Sequence, residues 1–97
     1  MTKVTSVLRL HYKLFTPNGW QDYVYWQTED KKTLKKINKL IDDISRNGNE
    51  GIGNPEPLIG NFKGFWSRRI NDKDRLIYKI DEGAIYIISC RQHYTDH

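Results

Sequence analysis

Three strand-length segments, Phe65–Ile70, Arg75–Ile80 and Ala84–Cys90, follow one another in the last third of the chain. They are separated only by Asn71-Asp72-Lys73-Asp74 and Asp81-Glu82-Gly83, which are turn-type residues at turn-type length. Segments joined this tightly are expected to pair as an antiparallel meander, so the C-terminal third of the fold is a sheet. The same stretch carries Arg68, Arg69, Arg75 and Arg91, followed by His93 and Tyr94. A guanidinium is costly to desolvate and contributes little as an exposed ion pair, so several on adjoining strands point to a polyanionic ligand. The plain alternative is surface pairing with Asp72, Asp74, Asp81 or Glu82.

Upstream, Leu8, Leu10, Tyr12 and Leu14 alternate with Arg9, His11 and Lys13, the pattern of a strand with one buried face. Thr16-Pro17 reads as an N-cap and a proline at the first helical position. A helix is expected from about Pro17 to Gln27, with Trp20, Tyr23, Val24 and Gln27 on one side and Trp20 and Tyr23 in the core. Gly19 counts against that helix, since an interior glycine costs about 1 kcal/mol relative to alanine. Asp30 is placed to cap a second helix whose Leu34, Ile37, Ile41 and Ile44 recur at spacings of three and four. Its other side carries Lys31, Lys32, Lys35, Lys36 and Lys39, and Asn47-Gly48 ends it. From Gly48 to Pro57 the glycines and prolines predict a loop that holds Glu56 between Pro55 and Pro57. The expected architecture is α+β: an N-terminal strand, then two helices packed on one face of a mainly antiparallel sheet, the other face left free for a ligand.

Ninety-seven residues with no internal repeat make a single domain. Sixteen Lys and Arg against 12 Asp and Glu leave a net charge of +4, which matters only where the cations cluster. Cys90 is the sole cysteine, which excludes an intrachain disulfide and any zinc-ligand spacing of cysteines, so neither metal nor cofactor is expected. No apolar run approaches the roughly 20 residues that cross a bilayer. Arg9, His11 and Lys13 break up what would be the apolar core of a signal peptide, so a cytoplasmic protein is expected, with no membrane partner.

Glu56, the arginines and His93 together supply what cleavage of a phosphodiester by a neighbouring 2′-hydroxyl requires without a metal. A carboxylate takes the hydroxyl proton, a fixed cation stabilises charge growing on phosphorus, and an imidazolium protonates the departing oxygen. Arg68 and Arg69 must point to opposite faces of a strand, so one of them is structural. Tyr94 is suited to stacking on a base. Each residue also has an ordinary reading, as an exposed loop carboxylate, a surface arginine or an incidental terminal histidine. The five lysines of the second helix are either a solvated face or a surface for a large phosphate-rich partner.

The order of Tyr23-Val24-Tyr25-Trp26-Gln27, Lys35-Lys36-Ile37-Asn38, Gly53-Asn54-Pro55-Glu56-Pro57-Leu58, Gly64-Phe65-Trp66-Ser67-Arg68-Arg69-Ile70, Arg75-Leu76-Ile77-Tyr78 and His93-Tyr94 resembles the YoeB (Txe) toxins of the RelE/ParE superfamily. The resemblance runs from about residue 14 to residue 94, with 1–13 as an extended N-terminus and 95–97 as a short tail. It implies a microbial-ribonuclease-like toxin of a type II toxin–antitoxin system, an endoribonuclease that cuts messenger RNA in the ribosomal A site and so inhibits translation. By position it implies Glu56 as general base, Arg75 as phosphate-stabilising cation and His93 as general acid, with Arg69 and Tyr94 contacting substrate. Lys31, Lys32, Lys35, Lys36 and Lys39 would face the ribosome. The partners implied are a YefM-type antitoxin, the ribosome with its mRNA, and operator DNA through the antitoxin; homodimerisation is left open. A non-catalytic RNA- or antitoxin-binding module, or a gyrase-directed toxin of the same superfamily, is the alternative.

Overall fold

The computed structural model describes residues 12–92. Leu8 and Leu10 of the N-terminal alternation, and the candidate site residues His93 and Tyr94, lie outside the described residues. In chain order the elements are β1 (Tyr12–Phe15), α1 (Pro17–Glu29), α2 (Lys31–Asn47), β2 (Glu56–Pro57), a single 3-10 turn (Gly60–Phe62), β3 (Trp66–Arg69), β4 (Arg75–Asp81) and β5 (Ala84–Ser89). The five strands form one sheet in the order β1-β5-β4-β3-β2. β3, β4 and β5 are the expected antiparallel meander and β2 adds antiparallel to its β3 edge, while β1 pairs parallel with β5, Lys13 opposite Ile85 and Phe15 opposite Ile87. The two helices intervene between β1 and the meander, which is the long connection a parallel pair needs.

Alternation along the strands sorts the sheet into two faces. Leu76 and Tyr78 of β4 and Ile85 and Ile87 of β5 are buried and join Ile37, Leu40, Ile41 and Ile44 of α2 and Trp26 of α1 in one core. Both helices therefore cover this face, and the side chains at the alternate positions look the other way.

α1 starts where Thr16 and Pro17 predict. The Thr16 hydroxyl accepts from Gly19 N at 3.0 Å and donates to Ile88 O at 3.0 Å, so the cap also fastens the helix to β5. The helix continues two residues past Gln27, to Glu29. The expectation that Trp20 enters the core is wrong: Trp20 is 52% exposed and Val24 40%, and the buried positions are Gly19, Asp22 and Trp26. Tyr23 is half-buried against the core edge. Gly19 decides this orientation, because a Cβ there would lie 2.3 Å from Ile87 O. The helix packs on β5 through its glycine, and the bulky Trp20 is turned outward, where it meets Phe15 edge-on at 5.5 Å.

α2 follows after one residue. The Asp30 carboxylate accepts from Lys32 N at 3.0 Å, Thr33 N at 3.4 Å and Thr33 Oγ1 at 2.9 Å, and these bonds hold its pKa below the ordinary carboxylate value. Gly48 ends the helix at φ 67°, a left-handed conformation that favours glycine. In place of an unbroken loop up to Pro57, Glu56 and Pro57 form a two-residue edge strand on β3. Proline is tolerated there because an edge strand needs hydrogen bonds on one side only.

Candidate functional site

Cross-strand register defines what stands on the open face of the sheet. Ser67 lies opposite Glu56 on one side and Ile77 on the other, and Arg69 lies opposite Arg75. Directly opposed residues project to the same face, and positions two apart on a strand do as well. Glu56, Ser67 and Ile77 thus form one row across β2, β3 and β4, and Arg69 and Arg75 form the next. With strands about 4.8 Å apart and about 7 Å between rows, the Glu56 and Arg75 backbones lie on the order of 12 Å from each other. Both side chains are long enough to converge on one phosphate group between them.

Glu56 is exposed, and its Oε2 accepts from Asn54 Nδ2 at 3.3 Å. Its backbone is set by strand pairing and by the segment before it, which Arg68 organises. Arg68 is fully buried on the helix face of β3. Its guanidinium donates to Asp43 Oδ2 at 2.6 Å, to the carbonyls of Ile52 at 2.9 Å, Gly48 at 2.7 Å and Glu50 at 2.9 Å, and through Nε to Tyr78 OH at 3.3 Å. One fork therefore holds the segment from Gly48 to Ile52 against α2. Burial pushes the Asp43 carboxyl upward, but hydrogen bonds from Arg68, Ile52 N and Asn47 outweigh it and the net shift is down. Burial raises the Tyr78 hydroxyl, against the Arg68 hydrogen bond. Gly53 closes the same segment: Arg69 N donates to Gly53 O at 2.7 Å, and at φ 81° a Cβ would come within 2.7 Å of Leu40.

Arg68 and Arg69 thus divide as strand alternation requires. Arg68 is structural, and its carboxylate partner is Asp43 rather than one from the turns. Arg69 is exposed on the open face beside Arg75. The Arg75 guanidinium is half-buried and donates from Nη1 to the carbonyls of Asn71 at 2.7 Å and Asp74 at 3.1 Å. Carbonyls orient it without neutralising it, so its charge is left for an anionic ligand.

The chain that leads toward His93 is pinned by residues the sequence reading did not single out. Buried Asp22 accepts from Cys90 N at 3.0 Å, Trp26 Nε1 donates to Cys90 O at 2.8 Å, and buried Asp74 accepts from Gln92 N at 2.5 Å. Arg75 N donates to Gln92 O at 3.2 Å. Burial raises the Asp22 pKa, against the Cys90 hydrogen bond, and pushes the Cys90 thiol up to about 12, which removes it as a thiolate nucleophile. No spacing signal marks Asp22 or Asp74, since their partners are backbone groups about 70 and 20 residues away, distances only the fold creates. Arg91 lies with its guanidinium carbon 3.6 Å from the Tyr25 ring centre, a stacked contact on α1.

On α2, Lys31, Lys32, Lys35 and Lys39 are exposed and Lys36 is half-buried. Among the described residues, no group of His, Cys, Asp and Glu is arranged to hold a metal ion, and no helix is long and apolar enough to cross a membrane.

Comparison with known proteins decides the family. The model of the family described as YoeB-like toxin of bacterial type II toxin–antitoxin system matches residues 15–94. This chain belongs to the YoeB toxin family. It is a toxin of a type II toxin–antitoxin system, within the RelE/ParE superfamily. Toxin YoeB of Streptomyces coelicolor is 50% identical over 80 residues, covering 82% of this chain and 95% of that protein. Toxin YoeB of Escherichia coli K12 is 48% identical over 81 residues, covering 84% and 96%. Among solved structures, the YoeB dimer from Staphylococcus aureus superposes with a TM-score of 0.82 at 49% identity, covering 88% of this chain and 99% of that one. A YoeB–YefM complex from the same organism gives 0.81 at 49% identity, covering 89% and 99%. YafQ from E. coli, at 17% identity and a TM-score of 0.65, shares the fold.

Proposed function

We propose that this YoeB-family toxin is a ribosome-dependent endoribonuclease that cleaves mRNA in the A site and thereby inhibits translation. The observation that carries the reading is the register that puts Glu56, Arg69 and Arg75 on one open face of the sheet, opposite the helices. Glu56 takes the proton from a 2′-hydroxyl, whose oxygen attacks the adjacent phosphorus. Arg75, assisted by Arg69, stabilises the charge that accumulates on the phosphorane oxygens. His93 donates a proton to the departing 5′-oxygen, leaving a 2′,3′-cyclic phosphate and a free 5′-hydroxyl. Tyr94 stacks on a base next to the cleaved bond. The reaction is acid–base chemistry throughout and its steps call for no cofactor.

Residues 1–97 act as one toxin domain in this reading, with the family-like core at about 14–94. The lysine face of α2 contributes ribosome contact, since five cations along one helix suit a surface of ribosomal RNA phosphates. An antitoxin of YefM type neutralises the toxin, a reading supported by the YoeB–YefM complexes of S. aureus, and the toxin meets operator DNA through that antitoxin. The S. aureus dimer supports a homodimer of this chain as a further assembly.

The test is expression of the wild type beside Glu56→Gln, Arg75→Ala and His93→Gln. The wild type is expected to arrest growth and each variant to relieve the arrest. Undiminished arrest by all three would return the protein to a binding module or to a gyrase-directed toxin.

A further inference from the structure

The open face continues beyond the carboxylate row. Lys79 follows Ile77 by two positions on β4 and lies opposite Tyr86 on β5. Its Nζ stands 5.5 Å from the Tyr86 ring centre and 5.7 Å from that of Phe65, just before β3. Leu14 of β1 lies opposite Tyr86 on the far side and is 44% exposed. Phe62 flanks Phe65 at 6.2 Å. Between this row and the arginine row lies Ile77, buried at 4% exposure and absent from the helix-side core.

We infer that Phe65, Lys79 and Tyr86 form a subsite for the nucleotide next but one row from the phosphate clamp, its base stacked on the rings and its phosphate on Lys79 Nζ. The inference rests on the nuclease reading and extends it along the substrate. Aromatic faces take bases of any sequence, and a cation between them adds a backbone contact, the two components of single-strand binding grooves. The Lys79 row stands about 7 Å from the Glu56 row and about 14 Å from the Arg75 row, the scale on which an extended RNA strand advances by a nucleotide or two. A purely structural role would explain the cation between two rings but leaves the exposed apolar continuation at Leu14 without use. All three residues are half-buried and Lys79 Nζ already stands over both rings, so the platform is in place before a ligand arrives.

The experiment measures binding of a short single-stranded 2′-O-methyl oligoribonucleotide, which lacks the attacking hydroxyl, to the full-length chain by fluorescence anisotropy. Tyr86→Leu and Lys79→Met are each expected to weaken binding about tenfold, while Tyr86→Phe, which keeps the ring, binds as the wild type does. Thermal unfolding of the same variants identifies any loss caused by misfolding, and Tyr86→Val and Lys79→Gln, each with the same expected loss, then replace a variant that does not fold. Wild-type affinity in folded Tyr86→Leu and Lys79→Met, or no binding by the wild type itself, overturns the subsite. Translation-coupled cleavage by the wild type separates the two ideas. Cleavage that is indifferent to both substitutions sinks the subsite alone, whereas no cleavage by the wild type sinks the nuclease reading and leaves the binding result to decide the subsite.

Discussion

On β3 two adjacent arginines carry the same charge into different surroundings, and the surroundings decide what each does. Arg69 keeps its hydration on the open face, whereas Arg68 has exchanged water for five hydrogen-bond acceptors, one of them ionised. A planar fork can satisfy that many acceptors at once, and an ammonium with three donors cannot. Arg68→Lys is therefore expected to destabilise the fold by about 3 kcal/mol, because at least two of the five acceptors lose their donor. A urea midpoint within error of wild type would contradict this. The split between the two arginines was legible from strand alternation, but which of them turned inward was not. That choice depends on Asp43 of α2 and on three loop carbonyls, and nothing in the local sequence of β3 refers to them. The register of Arg75 opposite Arg69 follows from the short turn between β3 and β4, whereas that of Glu56 does not, since the sequence shows only a loop carboxylate between two prolines.

At the scale of elements, Gly19 sets the packing of α1. Helix propensity alone favours alanine there by about 1 kcal/mol. The Cβ, however, would sit 2.3 Å from a backbone carbonyl of β5, and backbone cannot swing aside as a side chain can. Overpacking of that kind typically costs 1–3 kcal/mol, so Gly19→Ala is expected to lower Tm despite the propensity gain. A raised Tm would show that α1 can lift off β5 freely. Periodicity placed Trp20 inside because it ranks residues by bulk, whereas the contact is made where backbone approaches backbone. Caps were easier to foresee: Thr16-Pro17 and Asp30 act on neighbours two or three residues away, so their effect is written locally. The two-residue β2 was not foreseeable, since it exists only as an edge added to β3.

Across the whole molecule, the buried Asp22 and the half-buried Asp43 respond to pH with opposite sign. Asp43 has a lowered folded pKa, so its contribution to stability is present above the unfolded carboxylate pKa of about 3.9 and is lost as pH falls through the lower folded value. Asp22 has a raised folded pKa, so its contribution is present below about 3.9 and is lost as pH rises through the higher folded value. Denaturation as a function of pH is expected to find Asp43→Asn strongly destabilised at pH 7 and converging on wild type in acid. Asp22→Asn, which retains an oxygen acceptor for Cys90 N, is expected to equal or exceed wild type at pH 7. The reverse ordering would mean that the Arg68 fork does not hold Asp43 ionised.

The molecule as a whole sets an anchored carboxylate and two arginines on the sheet face that the helices leave bare. Primer extension on a message translated in a cell-free system tests that arrangement most directly, with wild type beside Glu56→Gln. The wild type is expected to give discrete cuts inside codons that vanish when the start codon is removed, and Glu56→Gln to give none. Equal cutting by Glu56→Gln, or cutting of the untranslated message at the same positions, would contradict the account.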